Sequence, residues 1–118
     1  MKIGPLAGVK VLELGSLIAG PFCSKTLADF GAEVIKIENP DGDTSRSNGP
    51  WRADDEAHDW AGYFVSLNRG KKSIVLDLKT AEARMAVRAL VRTADVLVEN
   101  FRPGVMERLG LGYEALAK

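Results

Sequence analysis

Between Val9 and Glu38 the chain runs apolar strand, helix and apolar strand within about 30 residues, an order that few folds accommodate. Val9-Lys10-Val11-Leu12-Glu13-Leu14-Gly15 has the β-branched and leucine residues of a short strand and ends at glycine. Gly20-Pro21 predicts a helix start, because proline's missing N–H falls among the donors that a first turn leaves unpaired. The helix passes through Phe22, Leu27, Ala28 and Phe30 and stops near Gly31, a C-cap residue. Glu33-Val34-Ile35-Lys36-Ile37-Glu38 is the second strand, ended by Asn39-Pro40. A helical crossover of this length joins parallel strands.

The alternation resumes downstream. Lys72 to Leu78 predicts a third strand, Thr80 caps a helix running to about Thr93, and Asp95 to Asn100 predicts a fourth strand. Arg102-Pro103-Gly104 is a turn, Val105 to Leu109 a short helix, and Tyr113 to Lys118 the start of another. Residues 40–67 read as one long loop of turn formers, with a solvated acidic run from Asp54 to Asp59. A loop of that length in a compact domain is more often functional than accidental. The fold class is α/β, Rossmann-like, with a mostly parallel sheet and flanking helices. Four strands with no device closing the sheet lead us to expect that residues 1–118 are the incomplete N-terminal portion of a larger domain.

Zero net charge conceals an asymmetry that bears on ligands. Residues 1–59 hold six basic and ten acidic side chains, and residues 60–118 hold ten basic and six acidic. Nucleic-acid binders carry a basic excess over the whole domain with interleaved aromatics, so no nucleic-acid partner is expected. A small phosphorylated ligand suits the basic half. The longest uncharged stretch here, Leu14 to Ser24, is far short of the roughly 20 residues of a membrane span. No secretory signal opens the chain, and one cysteine excludes an internal disulfide or a multi-cysteine zinc site. The expectations are a cytoplasmic protein with no membrane partner and no metal.

Several segments could carry chemistry. The turn Gly15-Ser16-Leu17-Ile18-Ala19-Gly20-Pro21 follows a parallel strand, where open sheets bind ligands and helix N-termini favour phosphate. Its glycines have GxxxxG spacing, but Pro21-Phe22 stand where a P-loop needs Lys and then Ser or Thr, and GxGxxG is absent. A nucleotide-related ligand and a merely tight helix–strand turn both fit. Cys23 falls in the first helical turn, where a thiol pKa can drop, yet the only histidine, His58, lies in the acidic loop. A small packed cysteine and a surface histidine are the expected roles. Glu38 ends the second strand, where a dinucleotide enzyme holds a ribose hydroxyl. Asn68 to Ser73 sets three cations around a glycine, either an anion site or a solvated turn. Glu99 to Gly104 places an amide, a ring and a guanidinium at a strand's C-terminal end, the residue types that stacking and phosphate pairing need. Arg84, Arg88 and Arg92 read as a solvated helix face opposite Ala83, Val87 and Leu90.

Four separated blocks together resemble one family. Gly4 to Glu13, Ala19 to Phe22 with Leu27 to Glu38, Leu67 to Lys79, and Ala94 to Gly112 are similar to the opening of the family III CoA-transferases. That family includes formyl-CoA:oxalate and carnitine CoA-transferases and the related α-methylacyl-CoA racemases. The resemblance covers almost the whole chain and is weakest across Asp41 to Asp59.

The resemblance implies a Rossmann-like large domain, coenzyme A as ligand and an interlocked homodimer in complete members. Ser16, Leu17, Ile18 and Ala19 match the turn lying against the cofactor, and Leu76 and Lys79 match the strand meeting the adenosine end. Asn100, Phe101 and Arg102 match the edge contacting nucleotide and pantetheine, and Arg108 matches a phosphate-binding arginine. Asn39 stands where some relatives carry arginine, which implies a weaker contact to the adenine end. The family's transferases move CoA from an acyl-CoA to a carboxylic acid through an aspartate, which forms a mixed anhydride and then an aspartyl-CoA thioester. None of Asp29, Asp41, Asp77 or Asp95 matches that motif, so the catalytic residue is expected beyond Lys118, and this chain alone is expected to be inactive. The alternatives are a racemase fragment and a non-catalytic CoA-binding module.

Overall fold

The structure is a computed structural model describing residues 3–118. Strands β1 (Lys10–Glu13), β2 (Glu33–Glu38), β3 (Lys72–Val75) and β4 (Val96–Val98) form one sheet ordered β3-β2-β1-β4. Every neighbouring pair is parallel, with Val11 opposite both Val34 and Val96. Helix α1 (Ala19–Asp29) links β1 to β2, as the strand–helix–strand pattern predicts. The chain then steps outward to β3, and after helix α3 (Ala81–Val91) it crosses back to lay β4 beside β1. Winding therefore reverses between β1 and β4. Right-handed crossovers put α1 and α3 on opposite faces of the sheet.

Two apolar clusters mark those faces. Val11, Ala32 and Val34 pack with Leu27 and Ala28 of α1. Leu12, Leu14 and Ile37 pack with Val87 of α3, with Met106 of α4 (Val105–Arg108) and with Leu111, which precedes α5 (Tyr113–Leu116). Side chains alternate along a strand, so Glu13, Lys36 and Glu38 share the α1 face with Val11 and Val34. All three are buried. The C-terminal half of that face is thus ionic where a parallel sheet is ordinarily apolar.

Residues 40–67 are not one loop. They contain a 3-10 turn over Thr44–Ser47 and helix α2 (Gly62–Asn68). Gly62, two aromatics or β-branched residues in succession after Tyr63, and Ser66 give α2 little helical propensity. Tertiary packing forms it instead: Phe64 is buried, and α2 lies against α1. Strand β3 stops at Val75, short of Leu78, because Asp77 turns the chain. Its carboxylate accepts the Lys79 N–H, and its carbonyl accepts both the Thr80 N–H and the Thr80 hydroxyl. Thr80 then caps α3 by accepting the Ala83 N–H at 3.2 Å. Among the described residues no helix is long and apolar enough to cross a membrane.

Candidate functional site

Where the winding reverses, the C-terminal ends of β1 and β4 diverge, and open α/β sheets bind ligands in that crevice. A cleft of about 260 Å³ lies there. Its walls come from all four strand ends: Leu14 to Ser16, Ile37 to Asn39, Asp77 to Lys79, and Phe101 with Val105 and Leu109. Asn100 clamps the two diverging loops. Its Nδ2 donates to the Ser16 carbonyl at 2.9 Å, and the Ser16 N–H donates to its Oδ1 at 2.9 Å. A Cβ on Gly15 would sit 2.9 Å from the Gly20 Cα and 2.9 Å from Asn100 Oδ1. The GxxxxG glycines therefore let turn, helix and amide close together. Their spacing serves packing.

Beneath this turn lies a network of buried ions. Lys36 Nζ is 3.1 Å from Glu13 and 2.8 Å from Asp43, and it donates to the Gly15 carbonyl at 3.0 Å. Lys71 Nζ reaches the second Glu13 oxygen at 2.8 Å and donates to the Pro21 carbonyl and to Asn68. Burial pushes the Lys71 ammonium down, opposed by Glu13. Burial pushes Asp43 up, but Lys36 and the Ser45 N–H and hydroxyl outweigh it and hold the carboxyl below its ordinary range. Glu38 is filled in the same way. Each of its oxygens takes two bonds, from Arg46 and Ser73 on one and from Arg46 and the Asp43 N–H on the other. Burial raises its pKa, and these donors together bring it down to about 2. No oxygen is left for a ribose hydroxyl, which corrects that reading of Glu38. The sequence signal was charge at alternate positions of β2, opposite an apolar face.

The residues singled out by resemblance fall into four groups. Ser16, Asn39, Lys79 and Phe101 line the cleft, from four separate stretches of chain. Leu17, Ile18 and Ala19 continue the Ser16 turn and are exposed, and Asn100 braces that turn with both ends of its amide. Leu76 packs against the core on the α3 side, and with Lys79 it lies past the end of β3 rather than on it. Arg102 and Arg108 are exposed. Lys79, Arg102 and Arg108 form no ion pair among the described residues. The remaining candidates are placed elsewhere. Arg69 and Lys72 pair with Asp29 and Glu33, so with Lys71 buried, the Asn68–Ser73 cations offer no open anion site. Cys23 is exposed rather than packed, because α1 turns Gly20, Pro21 and Ser24 inward. His58 stacks on Trp51 with ring centroids 4.2 Å apart. Arg84 and Arg88 are more than a solvated stripe, donating to the Leu78 and Gly110 carbonyls. No group of His, Cys, Asp and Glu among the described residues is arranged to hold a metal ion.

The model of CoA-transferase family III matches residues 6–118. Succinyl-CoA:mesaconate CoA-transferase of Haloarcula hispanica is 50% identical over 114 residues, covering 97% of this chain and 29% of the relative. Acetyl-CoA:oxalate CoA-transferase of Acetobacter aceti is 50% identical over 116 residues, covering 98% and 28%. Succinate–glutarate CoA-transferase of Agrobacterium fabrum is 50% identical over 115 residues, covering 95% and 29%. The crystal structure of a CAIB/BAIF family protein from Brucella suis superposes with a TM-score of 0.89 at 48% identity, covering 98% of this chain and 30% of that one. The chain thus spans less than a third of the length of these relatives.

Proposed function

Because this chain belongs to CoA-transferase family III, we propose that it forms the CoA-holding front of an enzyme that moves CoA between carboxylic acids. The observation that carries this reading is the convergence of Ser16, Asn39, Lys79 and Phe101 on one cleft at the switch point of the sheet. The chain's own residues bind and orient. Lys79, Arg102 and Arg108 supply charge to the phosphates, Phe101 offers a stacking face, and the turn Ser16 to Ala19 lies along the ligand beside Asn100. Leu76 supports the adenosine end from the core, and Asn39 borders it without the charge of an arginine. Energy gained on the remote nucleotide is then available for use at the thioester.

The acyl exchange itself belongs to an aspartate beyond Lys118, which attacks the acyl-CoA carbonyl and later carries CoA as a thioester, splitting one hard exchange into easier steps. The relatives named above are transferases, which favours this branch over the racemases. Their named acids, mesaconate, oxalate and glutarate, are dicarboxylic, and a dicarboxylic acid is the acceptor class to try first. The complete enzyme works as a homodimer in the cytoplasm. The test is exchange of CoA from succinyl-CoA to a dicarboxylate panel, by the complete translated product and by the 118-residue chain. Turnover by the first and none by the second is expected. Turnover by the short chain would place a nucleophile within it and refute the assignment.

A further inference from the structure

Leu17 sits at φ 68, in the left-handed region that L side chains avoid. Leucine has no polar side-chain atom to support that conformation locally, so the support must come from outside the turn. The Asp43 carboxylate provides it. Both of its oxygens accept from the Leu17 N–H, at 3.2 and 3.4 Å. The carboxylate is itself fixed by Lys36 at 2.8 Å and by the Ser45 N–H and hydroxyl at 2.9 and 2.8 Å. Lys36 meanwhile holds the Gly15 carbonyl, two residues before Leu17. The side chains of Asp43 and Lys36 are each 1% exposed, so water does not compete for the bond between them.

We infer that Asp43 is a positioning residue: locked by Lys36 and acting through the Leu17 N–H, it holds Leu17 left-handed and sets the surface that the Ser16–Ala19 turn presents to acyl-CoA. The ligand half of this statement rests on the proposed function, and the backbone half does not. A turn held by buried ions keeps one shape whether or not ligand is present, and pre-organisation of that kind spares affinity the cost of ordering a loop.

The experiment uses the complete translated product and two variants, Asp43→Ala and the pair Asp43→Ala with Lys36→Met. The pair removes both charges, so no ammonium is stranded in the interior if the single variant folds poorly, and Glu13 keeps Lys71. Amide hydrogen exchange at Leu17 is expected to quicken at least tenfold in either variant, while Val11 and Leu12 of β1 keep wild-type protection. The Kd for CoA, from calorimetry, is expected to rise at least fivefold. In a Leu17→Gly background, where left-handed backbone carries no strain, adding Asp43→Ala should cost less than half that factor. Unchanged exchange at Leu17 overturns the positioning role. Faster exchange with unaltered CoA affinity, or an equal loss in the Leu17→Gly background, overturns its bearing on ligand while the proposed function stands. A wild-type product without CoA affinity overturns the proposed function and the ligand half together, and exchange at Leu17 still decides the backbone half.

Discussion

Lys79 and Arg108 are exposed and form no ion pair among the described residues, whereas Arg46 and Lys36 are paired with Glu38 and with Glu13 and Asp43. Arg108 also has a shaped approach: its guanidinium passes 3.2 Å from where a Cβ of Gly104 would stand, and Gly104 takes φ 88. Arg108→Ala in the complete product is expected to weaken CoA binding by about 1.5–3 kcal/mol, the range for a hydrogen bond to a charged group. Arg92→Ala, on the exposed end of α3, should leave affinity nearly unchanged. Arg88 is unsuited as that control because it braces the Gly110 carbonyl. Calorimetric titration of CoA checks the pair, and the Arg108 difference should shrink with added salt. Glu38 gives a second expectation. Its folded pKa, about 2 against an ordinary 4.5, lies below the unfolded one, so it stabilises the fold fully above the unfolded value. That contribution, on the order of a few kcal/mol, is lost as pH falls from 4.5 towards 2. Asp43 acts in the same direction. Thermal unfolding across this window should show a fall that Glu38→Gln flattens. The sequence displayed Glu38 at a strand end but not its partners, since Ser73 lies 35 residues away and only the folded sheet brings it near.

Elements were legible where local signals and tertiary demands agree. β1, α1 and β2 are apolar runs punctuated by glycine and proline, and the punctuation falls within two residues of the observed ends, β1 stopping at Glu13 before Gly15 and α1 starting at Ala19 before Gly20-Pro21. Thr80 announced α3 because its cap is a local bond, made to a residue three positions on. Helix α2 had no such signal, since its stability resides in one buried ring and in contacts with α1. Phe64 is 9% exposed, and the Arg46 guanidinium lies 3.7 Å from its ring centroid while holding Glu38. Phe64→Ala is therefore expected to cost about 3 kcal/mol in denaturant unfolding. Exchange of α2 amides should quicken well beyond that of α1. Equal loosening of both helices would mean that α2 is not the independently weak element.

Across the whole molecule, parallel pairing followed from the strand–helix–strand order, but the sheet order β3-β2-β1-β4 did not. Which side of β1 receives β4 is decided by packing α3 on the face opposite α1, and no local residue pattern encodes that choice. The candidate cleft depended on it, so its wall residues could be grouped only by resemblance. The same order leaves β3 and β4 as edges, with Val75 at 63% exposure and Val96 at 38%. Unpaired edges bearing apolar side chains are templates for association. The 118-residue chain by itself is expected to show a scattering mass that rises with concentration, and a monomeric mass throughout would show those edges to be inert. The Asn100 clamp has a further consequence, for the order of events during synthesis. Ser16 meets its partner 84 residues later in the chain. At ribosomal speeds of roughly 5–20 residues per second, the first half of the cleft waits about 4–17 s for the second. A nascent chain shorter than this span carries the turn without its brace, and protection of the Ser16 amide from hydrogen exchange would appear abruptly, on a length-resolved series of stalled chains, once Asn100 has left the exit tunnel.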